Sequence, residues 1–260
     1  MFIRQFSTVI LSLLLVVTVS CSKTKEAFKD QANWSVERYY AEAKSHLNRH
    51  NYEFAVEYYQ ELESKFPYSR YAPQAQIETA YARYKEGEPE LALAAIDRFI
   101  RLHPTHKNVD YAYYLKGLVN VLEEKSTMSW LVGNRETSKL DSNATLNAFD
   151  AFRDLTTRFP NSRYAADARQ RMSYLLNTLA AHDIHVAQFY FDRGAYVATI
   201  NRAKYVVEHY QQSPSVEDAL GLMANAYQRM GMDTLFKDTI RVLESNFPKS
   251  NYLAKFSKSN

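Results

Sequence analysis

The sequence predicts an all-α fold built from repeated pairs of helices. Glycine and proline are scarce, at 6 and 7 of 260 residues, whereas all-β folds need both residues for their many turns. Hydrophobic residues make up 46% of the chain and charged residues 23%, which is the composition of a folded protein and excludes disorder over most of its length. The third observation is a spacing of alanine and proline that recurs along the chain.

This spacing consists of two intervals. Ala55 is followed twelve residues later by Pro67, and Ala75 comes eight residues after that proline. A related element around Ser213 lacks the proline. Helix, turn, helix and proline in repetition are typical of a tetratricopeptide-repeat superhelix, and about five repeats are predicted; a generic helical bundle is the alternative. The other two copies are Ala92, Pro104, Ala112 and Ala148, Pro160, Ala168.

Apolar periodicity and helix breakers place the individual helices. Phe54, Tyr58 and Leu62 recur at every fourth position, so they lie on one face of a helix. Gly87 ends one helix, and Pro89 suits the first turn of the next. Each Phe-Pro pair ends a second helix, because the residue before a proline avoids the α conformation. The predicted helices are 35–50, 52–66, 73–86, 89–102, 108–125, 142–159, 164–181, 183–193, 195–209, 215–230 and 232–246.

The N-terminus has the features of a secretion signal. Arg4 precedes the uncharged stretch Val9–Val19, which is shorter than the roughly 20 residues that a membrane span needs. Residues 1–20 are therefore predicted to be a signal peptide. We expect this segment to direct export and then to be removed.

Cys21, the only cysteine in the chain, directly follows this signal. A small residue just before a cysteine resembles the bacterial lipobox, so Cys21 is predicted to carry N-acyl and S-diacylglycerol lipid and no other cofactor is expected. Ser22 stands where inner-membrane lipoproteins typically carry Asp, which favours sorting to the outer membrane. Residues 21–33 contain few apolar side chains and are predicted to be a lipidated tether. A chance cysteine at the end of an ordinary signal peptide is the alternative.

The repeats fall into three regions. Pro67 and Pro104 are 37 residues apart, whereas Pro104 and Pro160 are 56 apart, so the repeat between the latter carries an insertion. We place N-terminal repeats at 34–106, a repeat with an insertion at 125–141 in region 107–160, and C-terminal repeats at 161–260. Trp130, in the insertion, either folds back on the helices or contacts a partner.

Sequence motifs for catalysis are missing. No nucleophile elbow, phosphate-binding loop or zinc-hydrolase motif occurs, so neither an enzyme nor a metal site is predicted. The net charge of +3 gives no case for nucleic-acid binding. A metal-dependent hydrolase remains an alternative through three histidine pairs, although surface or packing histidines explain them better. The pairs are His46 and His50, His103 and His106, and His182 and His185.

Three segments carry a resemblance to a known family. The run Ala94–Tyr111, together with Phe159–Tyr164 and Asp192–Ala198, resembles the BamD (ComL) family of lipoproteins in the β-barrel assembly machine. The similarity extends over essentially the whole chain. It implies five tetratricopeptide repeats and a non-catalytic scaffold that promotes folding and insertion of β-barrel proteins, lipid-anchored at the periplasmic face of the outer membrane. A periplasmic repeat adaptor of the Tol-Pal or cell-division type is the alternative.

The resemblance also implies partners. They are the periplasmic domains of the barrel subunit BamA, accessory lipoproteins where the species has them, and unfolded outer-membrane β-barrel proteins. In this family the C-terminal repeats hold BamA and the N-terminal repeats face substrate, and the pair Asn201-Arg202 matches the docking segment. Arg202 has no acidic neighbour one turn away on its own helix, so it either faces water or binds a carboxylate across an interface, and the resemblance favours the interface. Arg193 is also predicted to contact the partner.

Aromatic side chains in the first repeats are the predicted substrate contacts. Repeat proteins bind extended or helical segments in their concave surface, and unfolded barrel proteins offer aromatic-rich strands with unpaired edges. Phe66 is expected in the seam between helices, and Tyr68 and Tyr71, in a turn, are expected to be the more exposed of the tyrosines. The predicted substrate-binding residues are Tyr39, Tyr52, Tyr68 and Tyr71.

Overall fold

A computed structural model describes residues 33–129 and 142–257 of the chain. All regular secondary structure in these ranges is helical, which confirms the predicted fold class. None of the described helices is both long and apolar enough to cross a membrane. The helices are α1 Val36–Asn48, α2 Tyr52–Lys65, α3 Ala72–Glu86, α4 Pro89–Leu102, α5 Val109–Ser129, α6 Ser142–Arg158, α7 Ala165–Asp192, α8 Tyr196–His209, α9 Ser215–Arg229, α10 Asp233–Asn246 and α11 Asn251–Ser257.

In chain order these helices form five pairs followed by the short α11. The chain divides into two compact units after Ala82, within α3. In the first unit, α1 and α2 pack against each other. In the second unit, each of α5, α7 and α9 packs against the helices that precede and follow it in the chain, and α7 also packs against α9. This is the nearest-neighbour packing of a repeat protein.

The turns that join successive pairs share one backbone geometry. The C-cap residues Phe66, His103 and Phe247 have φ of −132 or −133° and ψ of 54–63°. Tyr210, which lacks the following proline, has nearly the same angles, at −124° and 44°. In each turn the carbonyl of the C-cap residue accepts a hydrogen bond from the N–H three residues later, as in Ser69 to Phe66 at 3.0 Å. Proline therefore marks this turn in the sequence but is not needed to form it.

The recurring alanines lie where helices approach closely. The six that define the repeat, together with Ala219 after the element around Ser213, are at most 1% exposed. A larger side chain at these positions would hold the helices apart. Two glycines also allow a close approach between helices within the second unit. A Cβ on Gly117 would meet the ring of Phe152, and one on Gly221 the ring of Tyr252, both closer than 3.0 Å. The alanines are Ala55, Ala75, Ala92, Ala112, Ala148, Ala168 and Ala219.

One predicted helix boundary is wrong. The sequence suggested two helices, 164–181 and 183–193, but the structure has the single 28-residue helix α7. No glycine or proline interrupts this stretch, so nothing in it ends a helix. Asp183, which is able to cap a helix start, instead directs its side chain to Arg202 on α8. The C-terminal helix α11 was not predicted at all.

Several predictions concern residues that the structure does not describe. The signal peptide, Cys21 and most of the tether lie before residue 33. Part of the predicted insertion is helical, because α5 continues to Ser129. The rest of it, with Trp130, lies outside the described residues.

Candidate functional site

Tyr39 is part of the hydrophobic core of the first unit. It is 0% exposed, its ring packs on Trp34 and Phe66, and its hydroxyl accepts a hydrogen bond from Lys65 Nζ at 2.5 Å. The prediction that Tyr39 binds substrate is therefore wrong. The sequence indicates this burial, because Tyr39, Ala43 and Leu47 recur at every fourth position and so lie on one apolar helix face. All three are buried.

Tyr68 and Tyr71 lie in the same turn but in different surroundings. Tyr68 is fully exposed, as predicted. Tyr71 is half-buried and stacks on Tyr40 with ring centroids 4.9 Å apart, while the guanidinium of Arg70 lies over its ring. The expectation that Tyr71 is more exposed than the tyrosines outside the turn holds against buried Tyr39 but not against Tyr52, which is half-buried as well.

The partial burial of Tyr71 belongs to the repeat. Tyr164 occupies the same position after its proline and stacks on Tyr114 at 4.8 Å. Tyr252 also occupies this position, and its hydroxyl donates to Asp218 Oδ1 at 2.9 Å. In each case the tyrosine contacts the first helix of the preceding pair. A tyrosine that recurs four residues after the proline therefore indicates a structural role.

The other two aromatics of the first repeats are held against the core. Tyr52 is half-buried beside the core cluster, and the ring of His50 packs edge-to-face on it. Phe66 packs in the seam between helices, as expected. Of the four predicted substrate-binding tyrosines, Tyr68 alone presents its whole ring to solvent.

A buried carboxylate that sequence reasoning missed fixes α3 against α1 and α2. Glu78 is 8% exposed and accepts hydrogen bonds from Tyr40 at 3.2 Å, Lys44 at 2.7 Å and Gln74 at 2.9 Å. The hydroxyl of Tyr59 also donates to it. Burial is the largest cause that raises the pKa of Tyr40 and Tyr59, and the charge of Glu78 is the second. Both hydroxyls therefore stay protonated and donate hydrogen bonds. No spacing in the sequence reveals these partners, because they come from three helices.

A row of stacked rings lies on the α1–α2 pair. Trp34 stacks in parallel on Tyr58 at 5.9 Å, Tyr58 packs on His46 at 5.3 Å, and His46 packs on Phe54 at 5.4 Å. Phe54, at the end of this row, is 44% exposed. It is therefore a second exposed aromatic side chain of the first unit, besides Tyr68.

In the second unit, Arg202 has a carboxylate partner that the sequence argument overlooked. Its Nη1 lies 3.1 Å from Oδ1 of Asp183, on the neighbouring helix α7. The Asp183 side chain is 10% exposed and that of Arg202 is 46% exposed. Burial raises the pKa of Asp183, and the charge of Arg202 opposes this by lowering it. Arg202 has no acidic neighbour one turn away on its own helix, as predicted, but it is paired with a neighbouring helix, which the sequence argument did not consider, and about half of its side chain faces solvent.

Exposed residues surround Arg202 along α8. Asn201 is exposed, and it lies between the exposed side chains of Val197 and Tyr205, which are 59% and 42% accessible. These three residues recur at every fourth position, so they form one face of the helix, which we call the α8 face. Arg193, exposed at the end of α7, places its guanidinium 3.4 Å from the ring centroid of Phe189.

Two of the three histidine pairs, His46 with His50 and His103 with His106, take part in aromatic packing. His46 packs on Phe54 and Tyr58, and the rings of His103 and His106 both pack on Phe99. Within residues 33–129 and 142–257, no group of three or more His, Cys, Asp or Glu side chains is arranged to hold a metal ion. The geometry gives the hydrolase hypothesis no support.

Comparison with known proteins identifies the family. Residues 32–243 match the YfiO family model, which is described as outer membrane lipoprotein. This chain belongs to that family. A relative from Neisseria meningitidis serogroup A is 50% identical over 85% of this chain and 82% of its own length. Relatives from Xylella fastidiosa strain Temecula1 and Vibrio cholerae are 36% and 32% identical, over 94% and 90% of this chain and 83% and 95% of their own lengths.

These three relatives are named outer membrane protein assembly factor BamD. The names confirm the resemblance drawn from the sequence, and they do not favour the Tol-Pal or cell-division alternative. Membership of an outer membrane lipoprotein family also supports association with the outer membrane. The YfiO match covers both structural units, from the start of α1 into α10.

Proposed function

We propose that this chain is a non-catalytic subunit of the β-barrel assembly machine and promotes folding and insertion of β-barrel proteins into the outer membrane. The observation that carries the proposal is the match to BamD assembly factors at 32–50% identity over at least 85% of the chain. The helical repeat fold supports a scaffold, because such folds present extended surfaces for binding other chains.

The proposed anchor is lipid on Cys21. This cysteine would carry S-diacylglycerol and an N-acyl chain, since more than one acyl chain is needed for stable anchoring. The folded part would then lie at the periplasmic face of the outer membrane. No catalytic cofactor forms part of the proposal.

The proposed substrate surface lies in the first unit. Unfolded barrel proteins carry aromatic side chains and unpaired strand edges, and a fully exposed tyrosine is suited to contact both. Tyr68 is the principal candidate, Phe54 a second, and half-buried Tyr52 offers only part of its ring. Glu78 and its four donors would keep this unit rigid while a substrate binds.

The proposed docking surface for BamA lies in the second unit. It combines the α8 face with Arg202 and Arg193, which are two exposed arginines in the same unit as the exposed apolar side chains of Val197 and Tyr205. Such a surface suits a partner domain that has a carboxylate at the centre of its contact surface, because arginine binds carboxylates through paired hydrogen bonds. Accessory lipoproteins are further proposed partners where the species has them.

Affinity purification tests the proposal. A C-terminally tagged chain, extracted from membranes with mild detergent, is expected to co-purify the barrel subunit of the assembly machine. Depletion of the chain is expected to reduce the amount of folded barrel proteins, measured by their heat-modifiable mobility in gels. Recovery of Tol-Pal components without the barrel subunit would contradict it. An untagged strain, extracted identically, is the control.

A further inference from the structure

A groove in the second unit lies apart from the surfaces already described. It has a volume of about 620 Å³ and runs between two repeat turns, the one from α4 to α5 and the one from α6 to α7. Its walls include the apolar side chains of Pro104, Val109, Phe159 and Pro160. The turn geometry does not require the two prolines, since the turn at Tyr210 forms without one.

Basic side chains outnumber acidic ones in the lining of this groove. Lys107 and Arg158 are both exposed, and neither has a carboxylate within 4.0 Å among the residues that the structure describes. The single acidic side chain in the lining, Asp110, keeps its negative charge, but both of its oxygens accept hydrogen bonds from neutral donors. Its Oδ2 accepts from Ser162 Oγ at 2.6 Å and its Oδ1 from the N–H of Tyr111 at 2.7 Å. The Arg158 guanidinium lies 5.5 Å from the ring centroid of Tyr113, but neither cation is paired with a carboxylate, so both are able to bind an anionic group.

His106 adds a neutral hydrogen-bonding group. Its Nδ1 accepts from the backbone N–H of Asn108 at 3.2 Å, so the neutral ring carries its proton on Nε2. Burial, followed by the charges of His103 and Lys107, lowers the pKa of His106. The neutral ring therefore predominates at pH 7 and leaves the positive charge of the groove to Lys107 and Arg158.

We propose that this groove binds an extended acidic peptide segment of a partner protein. One carboxylate of that segment is held by Lys107 and Arg158, and a neighbouring apolar side chain packs on Phe159 and Pro160. An anionic membrane surface fits less well, because two cations in a recess provide little of the broad charge that a lipid surface requires. The site is separate from Tyr68 and the α8 face, so it stands or falls independently of the proposed function.

A fluorescein-labelled peptide of alternating Glu, Leu and Pro tests this site. We expect the purified chain without its signal peptide to bind the peptide, measured by fluorescence anisotropy. The double variant Lys107→Glu and Arg158→Glu is expected to bind at least about tenfold more weakly, since it replaces attraction by repulsion. The matched control is Arg229→Glu with Lys237→Glu, which makes the same charge change at exposed positions outside the groove, and it is expected to bind normally.

Three results would overturn the proposal. They are failure of the unmodified chain to bind the peptide, equal binding of a peptide with Gln in place of Glu, and equal weakening by the control pair. Sedimentation with phosphatidylglycerol vesicles forms the second arm. Vesicle binding that the groove variant abolishes, without specific peptide binding, would assign the groove to lipid instead. If circular dichroism shows that the double variant is unfolded, Lys107→Gln with Arg158→Gln replaces it.

Discussion

At the scale of single residues, Tyr68 and Tyr71 allow surface function to be separated from packing. Tyr68→Ala removes a fully exposed ring, so the free energy of unfolding should change by no more than about 0.5 kcal/mol. A photoreactive amino acid at position 68 should crosslink to unfolded barrel proteins. The same photoreactive amino acid at the exposed Gln60 is the comparison. Crosslinking to substrate from position 60 but not from position 68 would contradict the assignment of Tyr68.

Tyr71→Ala should act in the opposite way. It removes a ring that stacks on Tyr40 at 4.9 Å and packs against the core of the first unit. We expect the free energy of unfolding to fall by about 1–3 kcal/mol, measured by urea denaturation. A stability as high as that of Tyr68→Ala would show that the stacked tyrosine does not contribute to packing.

Arg202→Ala should have a pH-dependent effect on stability. The change leaves the mostly buried carboxylate of Asp183 without its cation, at a cost of about 1–3 kcal/mol near pH 7. The pKa of Asp183, already raised by burial, should rise further. A carboxyl group whose pKa is raised in the folded state destabilises the fold when it ionises, so stability is lost as pH rises through that pKa. The difference in the free energy of unfolding between the variant and the unmodified protein should therefore be largest near pH 7 and shrink toward about pH 4.

Urea unfolding of both proteins at the two pH values measures this difference. Asp183→Asn combined with Arg202→Ala is the control, because it removes the buried charge as well, and its deficit should vary little with pH. An Arg202→Ala deficit that is the same at both pH values would contradict the ion pair as its cause. Binding to BamA is a separate measurement, in which Arg202→Glu should abolish co-purification while the helices remain folded.

At the scale of helices, the close approach of α9 and α11 can be tested at Gly221. Gly221→Ala places a methyl group against the ring of Tyr252 and should destabilise the protein by about 1–3 kcal/mol, partly offset by about 1 kcal/mol of improved helix propensity. Combining it with Tyr252→Ala removes the clash, so the two effects should be less than additive by at least about 0.5 kcal/mol. Strict additivity in urea denaturation would show that the ring moves aside freely.

Most helix boundaries could be predicted from the sequence because each is marked by a local signal. The prolines after Phe66 and Phe159, the glycine at position 87 and the fourfold spacing of apolar residues act within a few positions of the residue that they govern. Helix α7 was divided incorrectly because Asp183 has the side chain of a helix cap, and its true partner is 19 residues away on α8. Propensity alone does not reveal such a contact.

The candidate surfaces were less predictable than the helices, for the same physical reason. Exposure of Tyr68 follows from its place in a turn, and burial of Tyr39 from its place on an apolar stripe. Glu78, by contrast, is surrounded by donors from Tyr40, Tyr59 and Gln74, which belong to three helices. Only the packed arrangement shows that this carboxylate is satisfied and that Arg202 is paired.

At the scale of the whole molecule, the lipid anchor is the property with the clearest test. Cys21→Ala removes the only thiol in the chain, so labelled palmitate should no longer be incorporated and the precursor should keep its signal peptide. The described helices should fold as before, because the change lies outside residues 33–129 and 142–257. Incorporation of label into the variant would show that the lipid is attached elsewhere. Ser22→Ala, which leaves the thiol in place, is the matched control.

Because the repeat turns share one geometry, they provide equivalent positions at which a label can be attached. The second residue after the C-cap is exposed in every turn, whether it is Tyr68, Thr105, Asn161, Gln212 or Lys249. In the Cys21→Ala background, a cysteine introduced at one of these positions would carry a spin or fluorescent label on nearly the same local backbone in each case. Because the local backbone is held constant, unequal label mobility along the series would report what binds beside each turn.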